Sequence, residues 1–357
     1  MAKFYYGGQA VMEGVMMRGR YSAAMAVRRP DDSIYLYEEA LNPRLYQNRL
    51  FRLPFLRGIL LLWQMLALGT RLMTLSANIA TGAIESEPGA PTASEPGRPQ
   101  GGSAQLGRPG RPQGSPVRYS DGVGEQVEAP PQLGGWALGL TLFVSIGFAV
   151  AVFFLGPLLV TGLLHNQIGQ GWLSLIIEGA IRLALLVGYL YLIGRVPDIQ
   201  RVFGYHGAEH KAINAMECGD PLDVVHVRAA SRVHTRCGTG FLLLVAVVSI
   251  VVFALVGSPS LLLKIASRIL LVPVVAAVAY ELMRLGAANY RFRVVRWLLA
   301  PGLALQGLTT REPDDSMIEC AIAALQRVVR RDEQRTSTQA EAADVEQPAL
   351  PPLVPSN

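Results

Sequence analysis

Apolar residues in this chain are gathered into long uninterrupted runs, and this pattern predicts membrane-spanning helices rather than a soluble core. Two of the runs hold roughly 20 apolar residues without a charge, the length that a hydrocarbon core of about 30 Å requires. Two more have this length but carry charged residues. The four predicted spans are Trp136–Leu164, Trp172–Gly194, Thr239–Gly257 and Leu261–Leu282.

Charged residues decide how these spans are arranged. Glu178 and Arg182 lie inside the second span, where their spacing of four lets them pair and point into a helix bundle. The short connections 165–171 and 258–260 lack Lys and Arg, whereas residues 195–238 are rich in both. The positive-inside rule therefore places residues 195–238 and both termini in the cytoplasm.

The N-terminal residues 1–54 have a different pattern. Ala23–Arg29 and Ser33–Glu38 are short strand-like runs, and a proline-acid turn at 30–32 separates them. The segment before them is dense in glycine, which allows the backbone to approach a neighbour closely. We expect a small Gly-rich cytoplasmic region with a β-hairpin.

Residues 55–84 are apolar but contain Arg57 and Arg71. If the N-terminus is cytoplasmic and residues 136–164 run outward, this segment cannot be one complete span. An interfacial or re-entrant helix is therefore predicted.

Two regions have the composition of disordered chain. Residues 85–134 are dominated by Pro, Gly, Gln, Ser and Glu, and residues 336–357 are polar and rich in proline. Neither can bury enough apolar surface to offset the entropy of ordering, so we expect a linker and a tail.

A cytoplasmic helix is predicted after the transmembrane core of residues 135–310. Ser316 as N-cap and Glu319 three residues later form a capping-box pattern that opens an amphipathic helix within residues 311–335. The fold class is thus mainly α: a polytopic membrane protein with about four transmembrane helices and a small strand-containing N-terminal region.

Charge and cysteine content exclude some functions. The net charge of +5 comes largely from Arg residues at the ends of apolar segments, and no nucleic-acid motif accompanies them, so the partner is the lipid bilayer and not nucleic acid. Three widely spaced cysteines do not make a disulfide framework, which fits cytoplasmic extramembrane regions. The start of the chain lacks the apolar stretch of a cleavable signal peptide.

The His-rich loop 195–238 carries the candidate chemistry. His206, Glu209 and His210 have the His-x-x-Glu-His form, which on a helix aligns two imidazoles for a metal with a carboxylate beside them. His234 and Cys237 offer two further ligands that suit zinc. Three protein ligands would make a catalytic site and four a closed structural one. Chance spacing of the histidines and simple packing of the Cys237 thiol remain the alternatives.

Four motifs of this chain resemble the YqhQ-like family of bacterial membrane proteins, a family of unknown function whose members are labelled predicted metal-dependent enzymes. The motifs are Gly-Gly-Gln-Ala-Val-Met-Glu-Gly-Val-Met-Met-Arg-Gly (7–19), Tyr-His-Gly-Ala-Glu-His-Lys-Ala (205–212), His-Thr-Arg-Cys-Gly-Thr-Gly-Phe (234–241) and Leu-Thr-Thr-Arg-Glu-Pro (308–313). The likeness covers roughly residues 3–330 apart from the linker. It implies a multi-pass protein of the bacterial cell membrane, with the same four metal residues and Glu209 as base.

Three functions are compatible with these features. The first is a zinc-dependent hydrolase at the cytoplasmic membrane face, with Lys211 or Arg236 holding an anionic group of an unknown substrate. The second is a scaffold or assembly factor with a structural metal site. The third, weaker, is a transporter built on Glu178, Arg182 and Lys264, whose small pathway a homo-oligomer would enlarge.

Overall fold

The computed structural model describes residues 6–41, 53–82, 119–121, 135–164, 172–256 and 260–345. The strands are β1 (Gly7–Val11), β2 (Gly14–Arg18), β3 (Ser22–Arg28), β4 (Ile34–Ala40) and β5 (Tyr119–Asp121). The helices are α1 (Leu56–Ala80), α2 (Gly135–Val150), α3 (Gly156–Leu163), α4 (Trp172–Ile193), α5 (Pro197–Cys218), α6 (Val224–Ala229), α7 (Gly238–Val256), α8 (Leu261–Leu270), α9 (Val272–Ala288), α10 (Arg293–Thr309) and α11 (Asp315–Val345). The described chain is thus mainly helical with a small N-terminal sheet.

The sheet is an antiparallel meander of β1 to β4, with β5 added in parallel to β4. The predicted hairpin is present as β3 and β4, with Met25 opposite Tyr37, and the glycine-rich segment before it forms β1 and β2. β5 is the only part of the predicted linker 85–134 that lies within the described residues; the rest of that linker lies outside them.

Both faces of the sheet are covered by helices, because side chains alternate between the faces along each strand. Met16, Met25 and Val27 pack against Leu72 and Ile79 of α1. The alternate positions, which include Val15, Met17, Ala24 and Ala26, form the main core with α5 and α11. The result is a three-layer unit of helix, sheet and helices.

Helix α1 joins this unit to the apolar helices. Residues 56–80 form one continuous helix rather than a hairpin. Its second half lies on the sheet, where the Ser76 hydroxyl accepts a hydrogen bond from Met12 N–H (3.0 Å). Near its start, Arg57 pairs with Glu281 of α9. The interfacial placement of this segment stays a prediction.

Four helices are long and apolar enough to cross a membrane. They are Leu56–Ala80, Gly139–Leu163, Leu173–Ile193 and Gly238–Val256, and Leu262–Leu270 with Val272–Ala288 forms a further pair bent by 45°. Three of the predicted spans are therefore single candidate helices. The predicted span Leu261–Leu282 is instead two helices that meet at Leu271, with Pro273 at the start of the second.

The charged residues inside these helices form one buried cluster. Arg182 and Arg268 donate to the two carboxylate oxygens of Glu178, with distances of 2.9 and 3.0 Å. Arg182 also donates to the Phe153 carbonyl (2.9 Å), in a π-helical turn between α2 and α3, and to Ser249 (3.0 Å). The predicted pairing of Glu178 with Arg182 is confirmed, and Arg268 is a partner that the sequence did not indicate.

The predicted amphipathic helix exists as α11, but its start and end differ from expectation. Asp314, not Ser316, caps it, since its carboxylate accepts from Met317 N–H (2.9 Å). Glu319 does not complete a capping box and instead pairs with Arg28 of β3 (2.7 Å). The helix continues to Val345, so part of the tail predicted to be disordered is helical.

Candidate metal centre

Helix α5 carries the His-x-x-Glu-His motif through the core of the molecule. It starts with Pro197 in its first turn and ends at Cys218, and the next residue, Gly219, caps it with a left-handed φ of 83°. Most residues from Phe203 to Ala215 are buried between the sheet, α11 and the loop that follows α6. The helical spacing places His206 and His210 side by side, with ring centroids 4.4 Å apart.

Backbone carbonyls fix the orientation of both rings. His206 Nδ1–H donates to the Thr309 carbonyl (2.8 Å) and His210 Nδ1–H to the Arg232 carbonyl (2.6 Å). Because a carbonyl oxygen can only accept, each Nδ1 carries a proton, and Nε2 is the ring nitrogen that each histidine can offer to a metal. Such an outer hydrogen bond is the usual support of a metal-binding histidine.

Cys237 completes a group of three ligand atoms. Its Sγ lies 3.4 Å from His206 Nε2 and accepts from Thr239 N–H (3.4 Å) at the start of α7. One ligand atom each from His206, His210 and Cys237 lie within 4.8 Å of one another. This set of two imidazoles and one thiol has the chemistry of a zinc site with one open position.

His234, the fourth predicted ligand, lies outside this group. Its ring centroid is 5.4 Å from that of His210, and its Nε2 accepts from the Arg236 guanidinium (3.2 Å). Burial lowers the pKa of His234 to about 3, and the neighbouring positive charge of Arg236 acts in the same direction. The ring is therefore a neutral neighbour of the site.

Glu209 faces the glycine-rich strand β1. Its carboxylate lies 4.0 Å from His206 Nε2 and accepts a hydrogen bond from the Gly8 backbone. Burial raises the pKa of Glu209, while His206 and Gly8 oppose the shift. A Cβ at position 8 would lie 2.9 Å from Glu209 Cγ and 2.6 Å from the Met16 carbonyl, so only glycine fits there.

The end of α10 and the residues that follow it support the site, although motif chemistry alone did not assign them a role. Thr309 accepts from His206, and the Gln306 side chain bonds both to the N–H (3.1 Å) and to the carbonyl (2.7 Å) of His234. The Arg311 carbonyl would lie 2.1 Å from a Cβ at position 207, which explains glycine between His206 and Ala208. The sequence feature that could have indicated this supporting role was the fourth family motif, residues 308–313.

The two cations suggested for substrate binding have protein partners. Lys211 pairs with Glu312 (2.7 Å) and donates to the Arg228 carbonyl (2.6 Å). Arg236 pairs with Glu217 and His234. His226 bonds to Asp223 at the start of α6, away from the site. His165 lies outside the described residues.

The fold and the site define a class: a mainly helical chain with several apolar helices and a His/Cys candidate metal centre next to a small sheet. The chain belongs to the family described as "Protein of unknown function (DUF1385)", whose model matches residues 53–331. It is 32% identical over 335 residues to "Uncharacterized protein YqhQ" of Bacillus subtilis (strain 168), with 91% of this chain and 92% of that protein covered.

These comparisons place the chain in the family that its motifs resemble, and neither description names an activity, a substrate or a metal. The metal-dependent enzyme label therefore has no support beyond the residues themselves. No solved structure matches the chain.

Proposed function

We propose that this chain is a metal-dependent hydrolase that holds one zinc ion with His206, His210 and Cys237 at the cytoplasmic face of the membrane. The observation that carries the proposal is the convergence of these three ligand atoms, with both Nδ1 atoms committed to carbonyls. Bound zinc would act as a Lewis acid and lower the pKa of a water to about 7.

The surroundings fit a site with three protein ligands. His210 and Cys237 are 1% and 4% exposed, whereas the His206 side chain is 18% exposed, so the group is accessible from the side of His206. Glu209 stands on that side. Its carboxylate accepts from the Gly8 backbone and has an oxygen 4.0 Å from His206 Nε2, a position from which a base could take a proton from a bound water.

A structural metal site in a scaffold is the second candidate, and the burial of the site favours it. Glu209 is 5% exposed, and the ligands are held by two separate segments of the chain, α5 and the residue before α7. A metal there would fasten α5 to the start of α7. The transporter alternative is weaker, because Glu178 is matched by two arginines and Lys264 belongs to no ion pair among the described residues.

Substitution of Glu209 by glutamine separates the enzyme from the scaffold. Glutamine keeps the shape and the hydrogen bond from Gly8 but cannot take up a proton at neutral pH. We expect Glu209→Gln to keep its metal, measured by elemental analysis, and to fail to complement a strain that lacks the protein.

Glu217→Gln, on the same helix but paired with Arg236, is the matched control and should complement. Full complementation by Glu209→Gln would refute the catalytic role and leave the structural site. Loss of metal from Glu209→Gln would show that the carboxylate is part of the coordination.

We also infer that α2–α3, α4, α7 and the bent pair α8–α9 cross the membrane and that both termini are cytoplasmic. The second half of α1 lies on the sheet, and residues 56–64 reach only about 13 Å at about 1.5 Å per residue. This is less than half of a hydrocarbon core of about 30 Å. Helix α1 then lies in the interface, and its exposed Leu56, Ile59, Trp63 and Leu66 face lipid.

Thiol labelling in intact cells tests this placement. Cys218 is exposed on the predicted cytoplasmic side, so an impermeant maleimide should label it only after permeabilisation. A Gly169→Cys substitution in a Cys218→Ser background should be labelled without permeabilisation. The reverse pattern would invert the topology and move the candidate site to the other side of the membrane.

A further inference from the structure

A cationic pocket lies where the chain leaves the membrane helix α4. Its volume is about 530 Å³, within the range of about 300–1,000 Å³ that is typical of ligand pockets. Three guanidinium groups, from Arg195, Arg232 and Arg311, line it together with one carboxylate, that of Glu312. The pocket opens to the surface between the ends of α4 and α10.

Two of the three arginines have most of their donors available. Arg195 donates to the Tyr191 hydroxyl and lies over its ring, and Arg311 donates to the Gly194 carbonyl (3.1 Å). In the part of the chain that the structure describes, no carboxylate pairs with either one. A guanidinium has five N–H donors in a planar fork, so both can still bind an oxyanion in bidentate fashion.

The only acid in the lining is already neutralised. Glu312 pairs with Lys211 (2.7 Å) and with Arg232 (3.1 Å), and Arg232 also donates to the Thr310 carbonyl (3.3 Å). The pocket therefore has a surplus of positive charge, which an anion would balance.

The position of the pocket indicates the source of that anion. Tyr191 and Leu308 form its apolar wall, and the adjacent Leu192 of α4 is two-thirds exposed. A helix end with arginine and tyrosine is typical of the headgroup layer of a membrane. A phosphate in the pocket would place its acyl chains along the exposed face of α4.

We propose that this pocket binds the phosphate group of an anionic phospholipid headgroup. Arg195 and Arg311 bind the phosphate oxygens, and Arg232, held by Glu312, adds positive charge from the opposite side. The site is built from residues other than the three candidate metal ligands, so it does not depend on the proposed hydrolase.

The test uses the full chain and the double variant Arg195→Gln/Arg311→Gln. Arg291→Gln is the matched control, because Arg291 follows another apolar helix but does not line the pocket. Phosphatidylglycerol retention is measured by native mass spectrometry from mixed phosphatidylglycerol–phosphatidylcholine nanodiscs, and inorganic phosphate binding by the shift of the melting temperature. The double variant should bind at least about a hundredfold more weakly, since it loses two guanidinium groups and the charged hydrogen bond of each is equivalent to about tenfold or more in affinity.

The headgroup site is supported if the wild type and the control retain phosphatidylglycerol and the double variant loses it. A different outcome is that no protein retains phosphatidylglycerol, but inorganic phosphate stabilises the wild type and the control and not the double variant. This outcome supports phosphate binding in the pocket with a free anion, not a lipid, as the ligand. Equal behaviour of all three proteins in both assays overturns the proposal. Metal content, measured in the same samples, reports on the metal site separately.

Discussion

Substitution of His210 by alanine should remove the bound metal from the purified protein. His210 is almost fully buried, its Nδ1–H is held by the Arg232 carbonyl, and its Nε2 belongs to the group of three ligand atoms. Even the loss of an outer-shell partner costs about 10–100-fold in metal affinity, so the loss of a direct ligand should cost more. Elemental analysis should find one metal ion per wild-type chain and almost none in His210→Ala.

Two further histidine variants make this result specific. Among the described residues, the exposed side chain of His226 bonds only to Asp223, so the metal content of His226→Ala should equal that of the wild type. His234→Ala should also keep its metal, because His234 stands outside the group of ligand atoms. Loss of metal from His234→Ala would instead indicate four ligands and a closed structural site. Equal metal in the wild type and His210→Ala would refute the metal centre.

The spacing of residues along the sequence predicted those parts of the site whose residues lie on a single helix. The spacing of four between His206 and His210 places both on one face of α5, and this follows from helical geometry alone. The same is true of Glu178 and Arg182 in α4. Such pairs are predictable because the residues that meet are close in sequence.

Long-range contacts were not predictable from spacing. The Thr309 carbonyl that orients His206 lies 103 positions away in the chain, and Arg268 joins Glu178 over 90 positions. The roles of Gly8 and Gly207 are also long-range, since Glu209 Cγ lies where a Cβ of residue 8 would be and the Arg311 carbonyl lies where a Cβ of residue 207 would be. Motif recognition marked these segments as important, but only the fold shows what they touch.

The choice of Cys237 over His234 also required the structure. Both residues lie just before α7 and both suit zinc, so the sequence predicted both as ligands. Gln306 binds the backbone of His234 on both sides, while the next turn of chain brings the Cys237 thiol to His206. The end of α10 thus holds the backbone of His234, whose ring lies outside the group of three ligand atoms.

The cap of α11 shows a different limit. Asp314 and Ser316 are both good N-cap residues, and sequence reasoning chose the one that matched Glu319. Glu319 pairs instead with Arg28 of β3, which lies against the start of α11. A tertiary ion pair therefore overrides the local capping pattern.

Replacement of Glu178 by alanine should destabilise the protein strongly. Glu178 is the only carboxylate that pairs with Arg182 and Arg268 within the described residues, and both guanidiniums are almost fully buried among apolar helices. Removal of one partner of a buried ion pair leaves an uncompensated charge and costs about 3–5 kcal/mol. The free energy of unfolding in mixed micelles, titrated with a denaturing detergent, measures this loss.

A matched control is Asp315→Ala, which removes an ion pair with Arg228 in which both side chains are 47% exposed. Such a surface pair contributes about 0.2–1 kcal/mol, so this variant should stay close to the wild type. If Glu178→Ala does not accumulate in the membrane, Glu178→Gln, which keeps one acceptor oxygen, should fold with an intermediate loss. Stability of Glu178→Ala equal to that of Asp315→Ala would contradict the burial of the cluster. It would mean that water reaches both arginines, and the transporter alternative would then regain support, since a hydrated pair of intramembrane arginines is the surface that an ion pathway requires.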